Sequence, residues 1–156
     1  MRRLNNIFAG VLIGLLSVIG TVLAGDRAKI YEVRIIEKLI LDATKESMPR
    51  VYIVAPDKEA KTLRKNLIRY ARKIKVVVSI DKADFILVKN LKEPIKINKP
   101  ALALDFSSLE YCPVCIGVFA WKNGRPMLLL YRDKLLFFKI ELPDDYKYFI
   151  EDRANY

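Results

Sequence analysis

The sequence predicts a single α/β domain: a mixed, mostly parallel sheet flanked by helices, with a β-hairpin in the C-terminal half and two short terminal helices. Three observations carry that expectation. A short, continuously apolar and β-branched run at 51–55 reads as a strand covered on both faces, and further strand-like, mostly apolar runs recur at 75–80, 84–88 and 101–105. Amphipathic helical patterns lie before the first of these runs and between the first and second. Asn123-Gly124, a dipeptide suited to the positive φ angles of a tight turn, separates two further strand-like runs at 118–122 and 127–131. The 156 residues suit one domain that buries about two-thirds of its unfolded surface, and 53% hydrophobic content supplies a core.

The N-terminus sets the compartment. Arg2 and Arg3 precede an uncharged apolar run at 7–24, and Val22-Leu23-Ala24 before Gly25 reads as a small-residue cleavage site. Residues 1–25 are therefore expected to be a signal peptide or a retained N-terminal membrane anchor, since such a run just reaches spanning length. Residues 26–156 are expected to be an exported domain, in the periplasm or at the outer face of the inner membrane, because the positive charges precede the run. Without Arg2 and Arg3 the chain keeps 26 basic against 18 acidic residues, a net charge of +8. For an exported chain the matching anions are lipid head groups, cell-wall polymers or an acidic protein. No zinc-finger spacing or RNA-binding aromatic motif points to nucleic acid. The Lys-, Glu-, Arg- and Ile-rich composition, without glutamine, is thermophile-like.

The elements follow in order. Over 28–47, Ala28, Tyr31, Ile35, Leu39 and Ala43 fall at helical spacing, widened by Ile36 and Ile40, with Glu37, Lys38 and Asp42 off the stripe. Met48-Pro49 ends that helix. After strand 51–55, Pro56-Asp57 opens a second helix with Asp57 as N-cap and Glu59 in the first turn. Ala60, Leu63, Leu67, Ile68, Ala71 and Ile74 make its inner stripe. Its outer face carries Lys58, Lys61, Arg64, Lys65, Arg69, Arg72 and Lys73, either a solvated face or an electrostatic docking surface. Strands 75–80 and 84–88 follow, then a connection punctuated by lysine and proline over 90–99, and strand 101–105. Ser107-Ser108 caps one helical turn before Cys112-Pro113-Val114-Cys115 and the hairpin. A short helix is expected at 133–140, and a last one after Asp144-Asp145 with Tyr146, Phe149 and Ile150 inward.

Three constellations are candidates for function. Cys112 and Cys115 are expected to pair in an exported chain; at that spacing the choice lies between a structural or regulatory staple, thiol–disulfide exchange and soft-metal binding by the two thiolates alone. The run 101–106 ahead of the cysteines resembles the strand entering a thioredoxin active site, yet the residues after Cys115 read as strand, where that fold needs a helix. Trp121, Asn123 and Arg125 at the hairpin tip would present an aromatic surface and a fork donor to a partner. Asp57 and Asp105 stand at strand ends, where ligands gather in doubly wound sheets. The chain has no histidine, which removes Ser-His-Asp, Cys-His and His-based zinc sites. No phosphate-binding or nucleophile-elbow motif is present, so neither a cofactor nor a metal is expected.

The layout, with Arg-Val-Tyr-Ile-Val-Ala-Pro-Asp at 50–57, Ala-Asp-Phe-Ile-Leu-Val at 83–88 and the late Asn-Gly-Arg hairpin, resembles small exported proteins of the periplasmic YfiR-like type. The chain has Met48-Pro49 where that family has tryptophan-proline, and Phe138-Lys139-Ile140-Glu141 only echoes its phenylalanine-acid-isoleucine-asparagine ending. The resemblance implies a non-enzymatic regulator that binds a partner in the periplasm. The expected function is thus an exported binding or regulatory protein that docks a partner protein or an anionic envelope component. The alternatives are a thiol–disulfide oxidoreductase using Cys112 and Cys115, and a membrane-tethered accessory subunit held by 7–24.

Overall fold

The computed structural model describes residues 25–152, so the expected leader or anchor at 7–24 lies outside the described residues. Residues 25–32 belong to a separate N-terminal unit and are helical. Among the described residues no helix is long and apolar enough to cross a membrane.

The rest is built on a seven-stranded sheet. Its strands are β1 (Arg50–Val54), β2 (Lys75–Val76), β3 (Phe85–Val88), β4 (Ala101–Ala103), β5 (Cys115–Lys122), β6 (Arg125–Tyr131) and β7 (Ile150–Glu151). The spatial order is β2-β1-β3-β4-β5-β6-β7. The first five pair in parallel, β5 and β6 form the antiparallel hairpin, and β7 runs parallel to β6. This is the expected α/β class, mostly parallel with one hairpin.

The two faces of the sheet are covered differently. On one, Val51 and Ile53, Phe85 and Leu87, and Leu102 pack under three helices: the part of α1 (residues 25–44) from Val33 onward, α2 (Asp57–Tyr70) and α3 (Arg132–Phe137). On the other, the alternate residues Ile86, Val88, Ala101, Ala103, Val118 and Ala120 are covered by loop and 3-10 residues such as Leu91, Ile95, Ile97 and Leu109, together with both cysteines. Small alanines make that face shallow. The crossovers β3–β4 and β4–β5 accordingly run as extended chain with one 3-10 stretch, Ser107–Tyr111, instead of α-helices.

Several boundaries differ from expectation for identifiable reasons. α1 stops at 44 because Lys45 takes a left-handed conformation (φ 59°) and its N–H closes on the Leu41 carbonyl at 3.0 Å. The inner stripe of α1 is Val33, Ile36, Leu39 and Ile40 rather than one through Tyr31, which is 54% exposed. Asp57 is the first residue of α2 and not its cap; Pro56 holds the cap position, with its carbonyl accepting the Ala60 N–H at 2.9 Å. Strand 75–80 shrinks to two residues at a sheet edge, after which Ile80–Lys82 turns as 3-10 helix. α3 ends in a Schellman turn at Lys139 (φ 53°), with the Ile140 N–H reaching the Leu135 carbonyl at 2.8 Å. The last expected helix is a 3-10 run, Asp144–Phe149, and Ile150 passes instead into β7 opposite Leu130.

A bulge sharpens the centre of the sheet. Ala101 opposes Cys115 but Leu102 opposes Gly117, so Ile116 is an extra residue and the register shifts there. A Cβ on Gly117 would lie 2.1 Å from the Leu129 carbonyl oxygen, so β6 can pair this closely only against glycine.

Candidate functional site

Four regions hold the residues singled out in the sequence. Cys112 and Cys115 are joined in a disulfide across a turn whose Cys115 N–H donates to the Cys112 carbonyl at 3.1 Å. Both are 1% exposed and packed on the shallow sheet face. An attacking thiolate has no path to either sulfur while that turn is closed, and no helix begins at the pair.

At the carboxyl ends of β1, β3 and β4 an open crevice of about 670 Å³ is lined by Glu59, Asn90, Lys92, Ser107, Glu110 and Tyr111, among others. It sits where the strand order reverses, the usual ligand position of such sheets. Neither Asp57 nor Asp105 is among its lining residues; their neighbours Pro56 and Ser107 are. The lining groups lie just beyond the strand runs, and that position was the signal by which they could have been found.

Asp105 is fully engaged beneath this crevice. Its Oδ1 accepts the Ser107 hydroxyl (2.5 Å), the Ser108 N–H (2.8 Å) and the Ser108 hydroxyl (3.0 Å). Its Oδ2 accepts the Asn90 N–H at 2.7 Å and lies 2.8 Å from the same Ser108 hydroxyl. The Ser108 oxygen in turn accepts the Leu91 N–H at 3.1 Å. Burial pushes the Asp105 carboxyl up, but the bonds from Ser107, Asn90 and Ser108 outweigh it and hold it below the usual carboxylate range. A carboxylate with its lone pairs so occupied ties the β3 and β4 loops together and has little capacity left for a substrate proton.

The other displaced carboxyls are also structural. The Arg50 guanidinium grips Asp84 in a fork (2.6 and 2.9 Å), joined by the Arg50 N–H at 2.8 Å, and holds it low. Asp42 is raised by burial but lowered on balance by Lys38 (2.7 Å) and the Tyr146 hydroxyl (2.8 Å). Burial, and then Asp42, push the Tyr146 phenol well above its ordinary range. Among the described residues no group of three potential metal ligands occurs.

At the hairpin tip, Asn123 (φ 52°) and Gly124 (φ 73°) make the expected turn, with Trp121 opposite Pro126 and Lys122 opposite Arg125. Trp121 is 40% exposed; its ring meets the buried Phe119 edge to face at 6.4 Å. The tip therefore offers a half-anchored indole beside two exposed cations, Lys122 and Arg125.

The outer face of α2 is basic. Lys58, Lys61, Lys65 and Arg69 are exposed at spacings of three and four, and Arg64 is half-buried at the flank; Arg72, expected on the same face, lies beyond the helix end at Tyr70, in the segment that Glu37 clamps. Leu63 and Leu67 fasten the opposite side into the core. Among the described residues none of these six cations has a carboxylate within 4.0 Å. Arg69 instead lies 5.1 Å from the Tyr70 ring. Ile68, expected on the inner stripe, is 68% exposed among them, because the wheel carries it past the edge of the core.

Glu37 was missed as a structural residue. It is 6% exposed, and its Oε1 accepts the N–H groups of Arg72 and Lys73, each at 2.5 Å, while Oε2 pairs with Arg34 at 2.9 Å. It clamps the chain leaving α2. Its place between Ile36 and Ile40 was the only sequence cue.

No family model and no curated protein matches the chain. A solved structure described as a conserved domain protein from Vibrio cholerae is similar, with a TM-score of 0.51 and 11% identity over 77% of this chain. The chain spans about 59% of the length of that structure, and at this identity the likeness is one of fold alone.

Proposed function

We propose that the chain is an exported, non-enzymatic binding or regulatory protein that docks an anionic partner, an acidic protein or an anionic envelope component, through the outer face of α2. The observation that carries this reading is the basic face itself: five cations on one helix and Arg72 just beyond its end, none with a carboxylate within 4.0 Å among the described residues. A face kept only for solubility gains from interspersed acids, which relieve like-charge repulsion along the helix; this one tolerates the repulsion. Binding rather than chemistry is favoured because Asp42, Asp84 and Asp105 are all shifted downward by structural bonds. A general acid at neutral pH needs the opposite shift. The apolar run at 7–24 behind Arg2 and Arg3 supports export.

The test is capture from an envelope extract by wild-type protein and by a variant with Arg64, Lys65, Arg69 and Arg72 all changed to Glu. Wild type should enrich an acidic component whose recovery falls steeply with salt, and the folded variant should lose it. Equal recovery by both would reduce the face to a solvated surface.

A further inference from the structure

Resting on that reading, we infer that the occupant of the α2 face is the surface of an anionic phospholipid membrane. The cations within α2 stand on the outer, convex side of a 14-residue helix, about 20 Å long, and the crevice at the strand ends takes none of them. An acidic peptide needs a groove or a patterned counterpart, whereas a field of head groups accepts a convex row of like charges. Lysine supplies Lys58, Lys61 and Lys65 of the row, point charges on flexible stems that follow mobile phosphates without a fixed fork geometry.

Ile68 gives the second reason. It stands 68% exposed on the same helix one turn beyond Arg64 and Lys65 and next to Arg69, an apolar side chain on a cationic surface. Such a residue gains by entering the acyl boundary while the surrounding cations rest at head-group level. Each cation held near an anionic leaflet contributes about 1 kcal/mol, roughly fivefold in binding. A single such patch binds reversibly, and stable attachment takes a second signal; the same chain carries the apolar run at 7–24.

The experiment is sedimentation of the full chain with vesicles of phosphatidylcholine alone or with about one-third phosphatidylglycerol. The quantity read is the ratio of the two affinities, because apolar insertion of 7–24 adds the same baseline to both. Wild type should favour the anionic vesicles by roughly 100-fold or more at low salt, and the preference should shrink as salt screens it. Glu at positions 64, 65, 69 and 72 should abolish the preference. A charge-matched variant with Lys92, Lys96, Lys122 and Lys139 changed to Glu should keep most of it. Ile68→Ser should weaken anionic-vesicle binding several-fold. A wild-type preference under about threefold overturns the inference, as does an equal loss in both four-site variants, which would mean net charge rather than this face. Should the α2 variant lose its envelope partner while lipid charge has no effect, the occupant is an acidic protein. The docking reading then stands and the membrane inference falls.

Discussion

Replacing Asp105 by Asn tests whether this strand-end carboxylate is a structural tie. The amide keeps the shape but turns one acceptor oxygen into a donor. If that is Oδ1, the Ser108 N–H loses its acceptor; if Oδ2, the Asn90 N–H does. Either way one charge-assisted bond disappears and a backbone donor faces another donor, while the two serine hydroxyls can rotate away. A bond to a charged group is worth about 1.5–3 kcal/mol. Because the site is only partly buried, the lower half of that range applies, giving a loss of about 2 kcal/mol at pH 7. For a domain of this size that lowers Tm by roughly 6–10 °C. The pH dependence has a fixed sign. The folded-state carboxyl is lowered, so its stabilisation is complete above the unfolded value near 4 and is lost as pH falls through the folded value. Asp42 and Asp84 titrate in both proteins and cancel in the difference. Thermal unfolding of wild type and Asp105→Asn from pH 7 to pH 2 should show a gap that is constant down to about pH 4 and then narrows. A gap under 2 °C at pH 7, or one undiminished at pH 2, refutes the role.

Two further substitutions read the sheet. Gly117→Ala should cost about 3 kcal/mol or more in urea unfolding, because the atom its Cβ meets at 2.1 Å is a backbone oxygen of the paired strand. Gly124→Ala, with open space but φ +73°, should cost only about 1 kcal/mol, and equal costs would contradict the close approach. Changing both Cys112 and Cys115 to Ala should cost about 2 kcal/mol, the loop-closure value for so small a ring. The native disulfide should also resist dithiothreitol until denaturant opens the turn; rapid reduction of the folded protein would return the pair to redox chemistry.

The interior strands were legible because burial on both faces leaves an unbroken apolar run, and the hairpin because Asn123-Gly124 supplies its turn. What the sequence hid was set by tertiary partners. Lys45 and Lys139 end helices in a conformation that favours glycine, so no local residue announced either stop. β7 is two residues long and exists only through pairing with β6. Glu37 looked like a surface acid until the Arg72 and Lys73 amides arrived from elsewhere in the chain. Among the candidate site residues, Asp105 was correctly placed at a strand end. Its bonds to Ser107, Ser108 and the Asn90 amide were hidden, because the β3 and β4 loops meet only in the folded chain.

The cysteines gain meaning from the unequal cover of the sheet. Helices supply their own backbone bonds, so the face under α1, α2 and α3 needs only apolar packing. The opposite cover is extended chain and must be laced down. Its ties are the Ile95 N–H to the Tyr111 carbonyl (3.0 Å), Lys99 Nζ to the Asp81 and Ala83 carbonyls (2.8 and 2.5 Å), the Asp105–Ser108 network and the Cys112–Cys115 bond. The disulfide fixes the turn directly after Tyr111, a wall of the strand-end crevice, and lets extended chain cover alanines too shallow to seat a helix. Local opening should concentrate on this laced side, where surface ties replace cooperative helix bonds. α2 lies on the other side, anchored by Leu63 and Leu67, so the backbone that carries its cations is held in place while their flexible stems stay free. A helix so anchored keeps its charged row clear of its own chain, as the docking role proposed for α2 requires.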